Sequence, residues 1–570
     1  MNINDSVAED TVTVSSFNKP YLIRIMKRAI GLLFFCALSA SASAQLDLNA
    51  LKQQSDAKAR EQKQAGQDFL SERDAKWGEF MESRNEEWAK IIEKRDLEWS
   101  SFLCGSEWAL FSDFLINEVP VKPKPVVAPK LDTEPVAEPN PEPIALPDDL
   151  IIKPNPKPWK DPGTLSQSVI DPVDLLKRLL DQSKSTPALQ VPDNQVPLPC
   201  KPAEPLPDPS KKIEYSFYGH PVSIPYDNIL KSFRYNKIGK DVISECWNSF
   251  SSSNYTPIVN ALVNEKEKIG LDDWGYYLLV SEYATLMYQD KNCSNLLTWF
   301  LLVRSGLDAK VGYNDSGIVL LLPTETELFG KSFYKINDRN YYVATQKPDG
   351  GIYTYDGNYA NGRQFSFGLK GPLRLGDNKS VRHLSFRFKG KEYDMDFAYD
   401  SDVIDYYKAL PLAQFKVFFE ASPSMRLKKS IEDNLKPIVS GMDRQTALNF
   451  LLQFVQYAFS YKTDNQQFGF EKYFYVEELF FYPYCDCEDR SVLFSYLAHE
   501  LMGYDVVGTN FPGHMATAVD VDFNAKGVKY SAAGRTYTIA DPTYVGAYVG
   551  QCMSKYETTL PQILFIDYSK

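Results

Sequence analysis

Hydrophobic and polar positions divide the chain into stretches of different period. Over 50–116 the period is eleven: Trp77, Trp88 and Trp99 recur, as do Phe69, Phe80, Ile91 and Phe102, and Arg73, Arg84 and Arg95. Eleven residues in three turns is about 3.67 per turn, close to the helical 3.6, so the aromatic stripe stays on one face. Glu, Lys and Arg fill the other faces, which predicts an amphipathic helix or coiled coil over residues 45–116. The helix could simply lie on a globular domain, but an exposed Trp and Phe stripe needs a partner, and self-association is the expectation. From 119 to 210 the periodicity stops, and 22 of the chain's 36 prolines fall in these 92 residues. Such a segment builds neither core nor helix, which predicts an extended Pro-rich linker over 117–212, with a short helical interlude at 173–180.

Beyond 213 the pattern is globular. Residues 362–420 alternate apolar and polar positions (Leu384, Phe386, Phe388; Phe415, Val417, Phe419), which predicts antiparallel strands. Residues 431–439 and 446–459 read as helices. An apolar run at 492–501, opened by Cys487 and ended by Gly503, reads as another. Strand patterns are present at Ala516, Ala518, Val519 and Val521, and at Tyr537 and Ile539. The fold class is therefore α+β.

The candidate chemistry lies on these last elements. Cys487 opens a helix, where the positive end of the dipole favours a thiolate. His514, in Pro512-Gly513-His514, stands beside one strand, and Asp541, in Ala540-Asp541-Pro542, ends the next. Nucleophile on a helix, with base and orienting acid on adjacent strands, is the logic of thiol acyl transfer. The residues Asp486-Cys487-Glu488-Asp489, Met502-Gly503-Tyr504-Asp505, Pro512-Gly513-His514 and Ala540-Asp541-Pro542 resemble, in that order, the transglutaminase-like superfamily. The resemblance covers roughly 430–560. It implies a papain/transglutaminase-like catalytic domain with Cys487 as nucleophile, His514 as general base and acid, and Asp541 orienting the imidazole. Cys485, two residues before the nucleophile, departs from the pattern, and the side chain that would stabilise the oxyanion has no evident place. Some bacterial members bind calcium at a similar acidic stretch, which here would be Asp486, Glu488 and Asp489. Three residues are few for a cation that takes six or more oxygens, and no cofactor is the expectation.

A second stretch looks like a weaker copy. Cys293, Gly306, Gly312, Gly317-Ile318, Arg339 and Thr345 parallel Cys487, Gly503, Gly508, Gly513-His514, Arg535 and Asp541, with base and acid replaced by Ile318 and Thr345. The expected domains are 1–44 (an extension and a signal peptide at 26–44), 45–116 (the helix), 117–212 (the linker), 213–361 (a degenerate module), 362–425 (a β-rich connector) and 426–570 (the catalytic domain).

Composition narrows the setting. A formal charge of −12 and a pI near 5.1 argue against nucleic acid as a partner. Met26-Lys27-Arg28, an apolar run at 30–38 and Ala42-Ser43-Ala44 form a secretory signal pattern, and that run is too short to span a bilayer. A periplasmic or secreted protein without a transmembrane segment after cleavage is expected. Seven cysteines would remain (104, 200, 246, 293, 485, 487 and 552), an odd number that fits one free thiol and no zinc spacing. The expected activity is hydrolysis of peptide or isopeptide bonds in a protein substrate. A crosslinking acyltransferase and a non-catalytic envelope-binding scaffold are the alternatives.

Overall fold

The computed structural model describes Lys76, residues 89–119 except 113, residues 144–152, and residues 211–568 except 347, 348, 360 and 361. The signal pattern at 26–44, most of the eleven-residue repeat, the interlude at 173–180 and Cys200 lie outside the described residues. The chain forms two compact units, 1–92 and 93–570. The described residues of the first, Lys76 and 89–92, are helical. Every strand among the described residues belongs to the second.

The second unit begins with helix α1 (93–105) and short strands β1 (Ala109–Phe111), β2 (Leu115–Ile116), β3 (Ile144–Ala145) and β4 (Ile151–Ile152). A hairpin, β5 (Lys212–Phe217) and β6 (His220–Pro225), leads to helices α2 (Lys240–Ser251), α3 (Thr256–Ile269), α4 (Asp273–Met287) and α5 (Lys291–Arg304). Strands β7 (Lys310–Asn314), β8 (Gly317–Pro323), β9 (Ser332–Ile336), β10 (Arg339–Val343) and β11 (Ile352–Thr354) complete the first module. The connector is the ten-residue hairpin β12 (Lys379–Phe388) and β13 (Lys391–Asp400), turning at Lys389 and Gly390, both at positive φ. The second module has helices α6 (Met425–Val439) and α7 (Arg444–Ala458), strands β14 (Ser460–Tyr461) and β15 (Tyr484–Cys485), helix α8 (Cys487–Met502), and strands β16 (Val506–Phe511), β17 (His514–Val519), β18 (Lys529–Ala532), β19 (Arg535–Ala540) and β20 (Gln562–Phe565).

The two large sheets share one topology. The first runs β2-β9-β10-β8-β7-β11-β1 and the second β3-β18-β19-β17-β16-β20-β4. In each, a helix leads into a hairpin, a second hairpin pairs along its far strand, and a last strand returns beside the near one. Each sheet's two edges are then covered by short strands from the region before residue 153. β1 and β2 run antiparallel to β11 and β9, whereas β3 and β4 run parallel to β18 and β20. These segments act as straps, and their length dictates curvature. Six interstrand steps span about 29 Å in a flat sheet. Four residues from Phe111 to Leu115 reach only about 13 Å, and six from Ala145 to Ile151 only about 20 Å. Both sheets therefore curl.

Alternation places the side chains on the two sides of each curl. Val507, Ala516, Ala518, Tyr530 and Ile539 close a cluster with Ile144 and Ile151, while Val506, Met515 and Val519 face the larger core shared with the helices. Val319, Leu321, Tyr341 and Ile352 form the corresponding cluster of the first sheet, with Phe111 and Phe114 from its strap.

Several expectations are corrected. Residues 109–119 and 144–152, expected in the helix and the linker, are strands and turns bound to the sheets. Of the described part of the aromatic stripe, Ile91 is exposed, while Trp99 packs within the chain, stacking on Phe102 at 5.0 Å and meeting Trp247, Tyr355 and Tyr359 edge-on. Asp96 beside it takes two 2.6 Å bonds from Arg304. The connector is not purely β. Ser401–Ala409 and Phe415–Phe419 are helices, because consecutive Val417, Phe418 and Phe419 all reach the core and strand alternation would expose one of them. In the copy, the hairpin turn lies between Asn314 and Gly317, as that of the second module lies between Phe511 and His514. Gly317, not Ile318, thus stands at the histidine's place. Each helix is preceded by an N-terminal aspartate, Asp290 or Asp486, so Lys291 rather than Cys293 matches Cys487. Thr345 keeps its place, six residues from the arginine that opens its strand, as Asp541 does.

Among the described residues, no helix is long and apolar enough to cross a membrane.

Candidate active site

The start of α8 is fixed by its own acids. Asp486 and Asp489 form a reciprocal cap, with the Asp486 N–H donating to Asp489 Oδ2 at 3.0 Å. Asp489 Oδ1 also accepts from the Phe474 N–H at 2.9 Å, tying the helix start to the preceding loop. Gly503 ends the helix in the left-handed conformation, φ 71°. Ser491 Oγ donates to the carbonyls of Cys487 (2.8 Å) and Met515 (3.1 Å), which clamps the first turn onto β17.

This packing brings Cys487, His514 and Asp541 together, each 3 % exposed or less. His514 Nε2–H donates to Asp541 Oδ2 at 2.8 Å, and the Cys487 thiol is a near neighbour that acts on the charge of the same imidazole. Because Asp541 occupies Nε2, Nδ1 is the nitrogen left for the thiol. Burial opposes a charge on His514, but the Asp541 carboxylate and the neighbouring Cys487 outweigh it and hold the imidazole well above its ordinary range. Asp541 is itself held: its Oδ1 accepts from the N–H groups of Thr543 (2.8 Å) and Tyr544 (3.2 Å), and Gln456 Nε2 donates to its carbonyl at 3.1 Å. Tyr556 stacks on the histidine ring at 5.2 Å.

The acids around the thiol are more numerous than the motif suggests. Cys487 Sγ–H donates to Glu488 Oε2 at 3.0 Å. Asp464 and Glu471, from the segment before β15, join Asp486, Glu488 and Asp489. Two groupings of these acids, Asp464 with Glu471 and Glu488 and Asp464 with Asp486 and Asp489, could hold a cation, as could a third that includes the Cys487 sulfur. Asp489 is pushed well above the carboxylate range by burial and by the charges of Asp486 and Asp464. The two all-carboxylate groupings offer hard oxygen, which suits calcium rather than zinc.

Sequence patterns missed two further residues. Tyr461, on β14 beside Cys485, has a buried hydroxyl with no hydrogen-bond partner among the described residues. Burial and the charges of Cys487 and Asp486 raise its pKa. Arg490, 2 % exposed, donates to the Phe459 carbonyl at 2.5 Å and stacks over the Tyr461 ring at 5.2 Å. Only its place in the run after Cys487 could have signalled Arg490, and nothing local signals Tyr461. A groove of about 510 Å³, lined by Phe329, Tyr407, Leu410, Phe470 and Tyr473 among others, reaches this region. Glu471 belongs both to its lining and to the acidic groups beside the thiol.

The copy has no such group. A side chain at Gly317 would meet Asn292 Oδ1 at 2.8 Å, and that oxygen accepts the Ile318 N–H. Burial and the Asp290 carboxylate push the Cys293 thiol up to about 12. Comparison of the chain with models of protein families, with curated proteins and with solved structures finds no match.

Proposed function

We propose that the chain is an exported cysteine hydrolase that cleaves peptide or isopeptide bonds of proteins through a thioester. The observation that carries this reading is one buried imidazole held by Asp541 at one nitrogen, with the buried Cys487 thiol of the helix start as its neighbour. In the first half-reaction the Cys487 proton passes to His514 Nδ1 and the sulfur adds to the substrate carbonyl carbon. The oxyanion takes hydrogen bonds from the Cys487 N–H at the helix start and from the Tyr461 hydroxyl. Collapse breaks the C–N bond, and His514 returns the proton to the leaving amine. Water then adds to the thioester with its proton going to His514, and the acid leaves as the thiol is reprotonated. The signal pattern at 26–44 supports a site of action outside the cytoplasm. The test is wild type and Cys487→Ala incubated with envelope and secreted proteins. New N-termini made by wild type alone support hydrolysis, new crosslinks made by wild type alone support an acyltransferase, and neither product refutes the enzymatic reading.

The two overlapping groups of three carboxylates beside the thiol favour a second proposal, control by calcium. Asp464, Glu471 and Glu488 would hold the ion, with Asp486 and Asp489 in the overlapping group, and its charge would neutralise Glu488, which now accepts the thiol proton. Calcium should then raise the melting temperature and speed Cys487 alkylation. No effect of calcium or chelator on either would exclude it.

A further inference from the structure

Beside the closed helix start of the first module lies a cleft of about 460 Å³. Three separate segments build it: residues 235–238, the hairpin turn with Tyr313, Asn314 and Asp315, and residues 349–353. Side-chain hydrogen bonds fix them to one another and to α5. Asn292 Nδ2 donates to the Tyr235 hydroxyl at 2.8 Å. Asn314 Nδ2 donates to the carbonyls of Asp349 (3.0 Å) and Gly351 (3.1 Å). Tyr313 and Tyr353 are direct register partners, and their rings stack at 5.6 Å with 26° between planes. Tyr353 is 41 % exposed. The charges that face this pair are mostly negative. Asp315 and Asp349 stand exposed on the rim. The Tyr235 hydroxyl donates to Asp290 Oδ1 at 3.4 Å, and the Asp241 charge acts on Tyr313. Against them stand Lys237 on the rim and Lys240, whose Nζ donates to the Ser106 carbonyl at 3.5 Å.

We propose that this cleft binds a basic segment of a polypeptide, with a lysine or arginine side chain over the Tyr313–Tyr353 pair and its charge between Asp315 and Asp349. A cation gains from the tyrosine faces and from carboxylates together, and both gains are lost to a neutral ligand of the same size. The fixed walls lower the ordering cost of binding. An oligosaccharide would use the same rings but gain nothing from the charge. The site stands without the catalytic reading, because none of its residues belongs to the Cys487 centre.

The test uses the full chain carrying Cys487→Ala and a fluorescent decapeptide of alternating Lys and Gly, followed by anisotropy. Saturable binding is expected, with no saturation by the Gln-Gly analogue or by a pentamer of N-acetylglucosamine. Tyr353→Ala and the pair Asp315→Asn with Asp349→Asn should each weaken it about tenfold, the scale of one such contact. Tyr353→Phe should retain binding, and Asp433→Asn, an exposed acid on α6, should change nothing. Thermal melts show whether each variant is folded. Absence of saturation, equal weakening by Asp433→Asn, or preference for the sugar would each overturn the assignment.

Discussion

At the scale of single residues, the sharpest question is how the Cys487 proton is shared between two neighbours. Asp541 occupies Nε2 of the imidazole and leaves Nδ1 for the sulfur, whereas Glu488 accepts the thiol proton at 3.0 Å. Asp541→Asn keeps the shape and removes the charge that stabilises the imidazolium. Alkylation of Cys487 by iodoacetamide should slow, and turnover should fall roughly 10²- to 10⁴-fold. Unchanged rates in a folded variant would remove Asp541 from the site. Glu488→Gln acts in the opposite direction: it takes a negative charge from beside a developing thiolate, so Cys487 should alkylate faster than in wild type. A slower rate would mean that Glu488 supports the nucleophile. Cys487, His514 and Asp541 were legible because each sits in a short run whose local geometry is set by its neighbours. Tyr461, Asp464 and Glu471 were not. They come from a separate segment, and only the pairing of β14 with β15 and the folding back of the 464–474 loop bring them to the thiol.

At the scale of elements, helices read well wherever a cap defined them. α7 starts at Asp443, whose carboxylate accepts the Thr446 N–H at 2.9 Å, and α8 runs from its aspartate cap to Gly503. Residues 415–419 misled because five residues carry too little pattern to separate a strand from one helical turn. The repeat was visible in the sequence but displaced at its histidine and cysteine positions, since a match of glycines does not fix the register of a hairpin. The straps had no hydrophobic period at all; two-residue strands are recognisable only once their partners exist. They carry a firm prediction. A chain starting at residue 213 loses β1, β2, β3 and β4 and bares β9, β11, β18 and β20. Unpaired edges recruit other chains, so light scattering should show aggregation of this truncated protein under conditions where the full chain does not aggregate. A stable monomer would show that the straps are dispensable.

For the molecule as a whole, buried acids set the response to pH. Burial pushes Asp272 up to about 6, although the Gly368 and Gly275 N–H groups donate to it. It pushes Glu477 up to about 7 against donors from Asp400 and Ser424. Their unfolded values are about 3.9 and about 4.3. The folded chain therefore holds protons that the unfolded chain has released. The stability these two groups contribute is fully present below about pH 4 and is lost as pH rises through 6 and then 7. Scanning calorimetry should show the unfolding temperature falling between about pH 5.5 and about pH 8. A rise across that window would mean that both carboxyls are ionised in the folded protein.

The straps also impose an order on synthesis. Ile151 pairs with Ile563, about 410 residues further along. A ribosome adding roughly 5–20 residues per second leaves an interval of roughly 20–80 s between the two. Throughout that interval β4 has no edge to join, and the second large sheet cannot close before its last strand has emerged. Until that strand is made, the nascent chain carries an unfinished sheet.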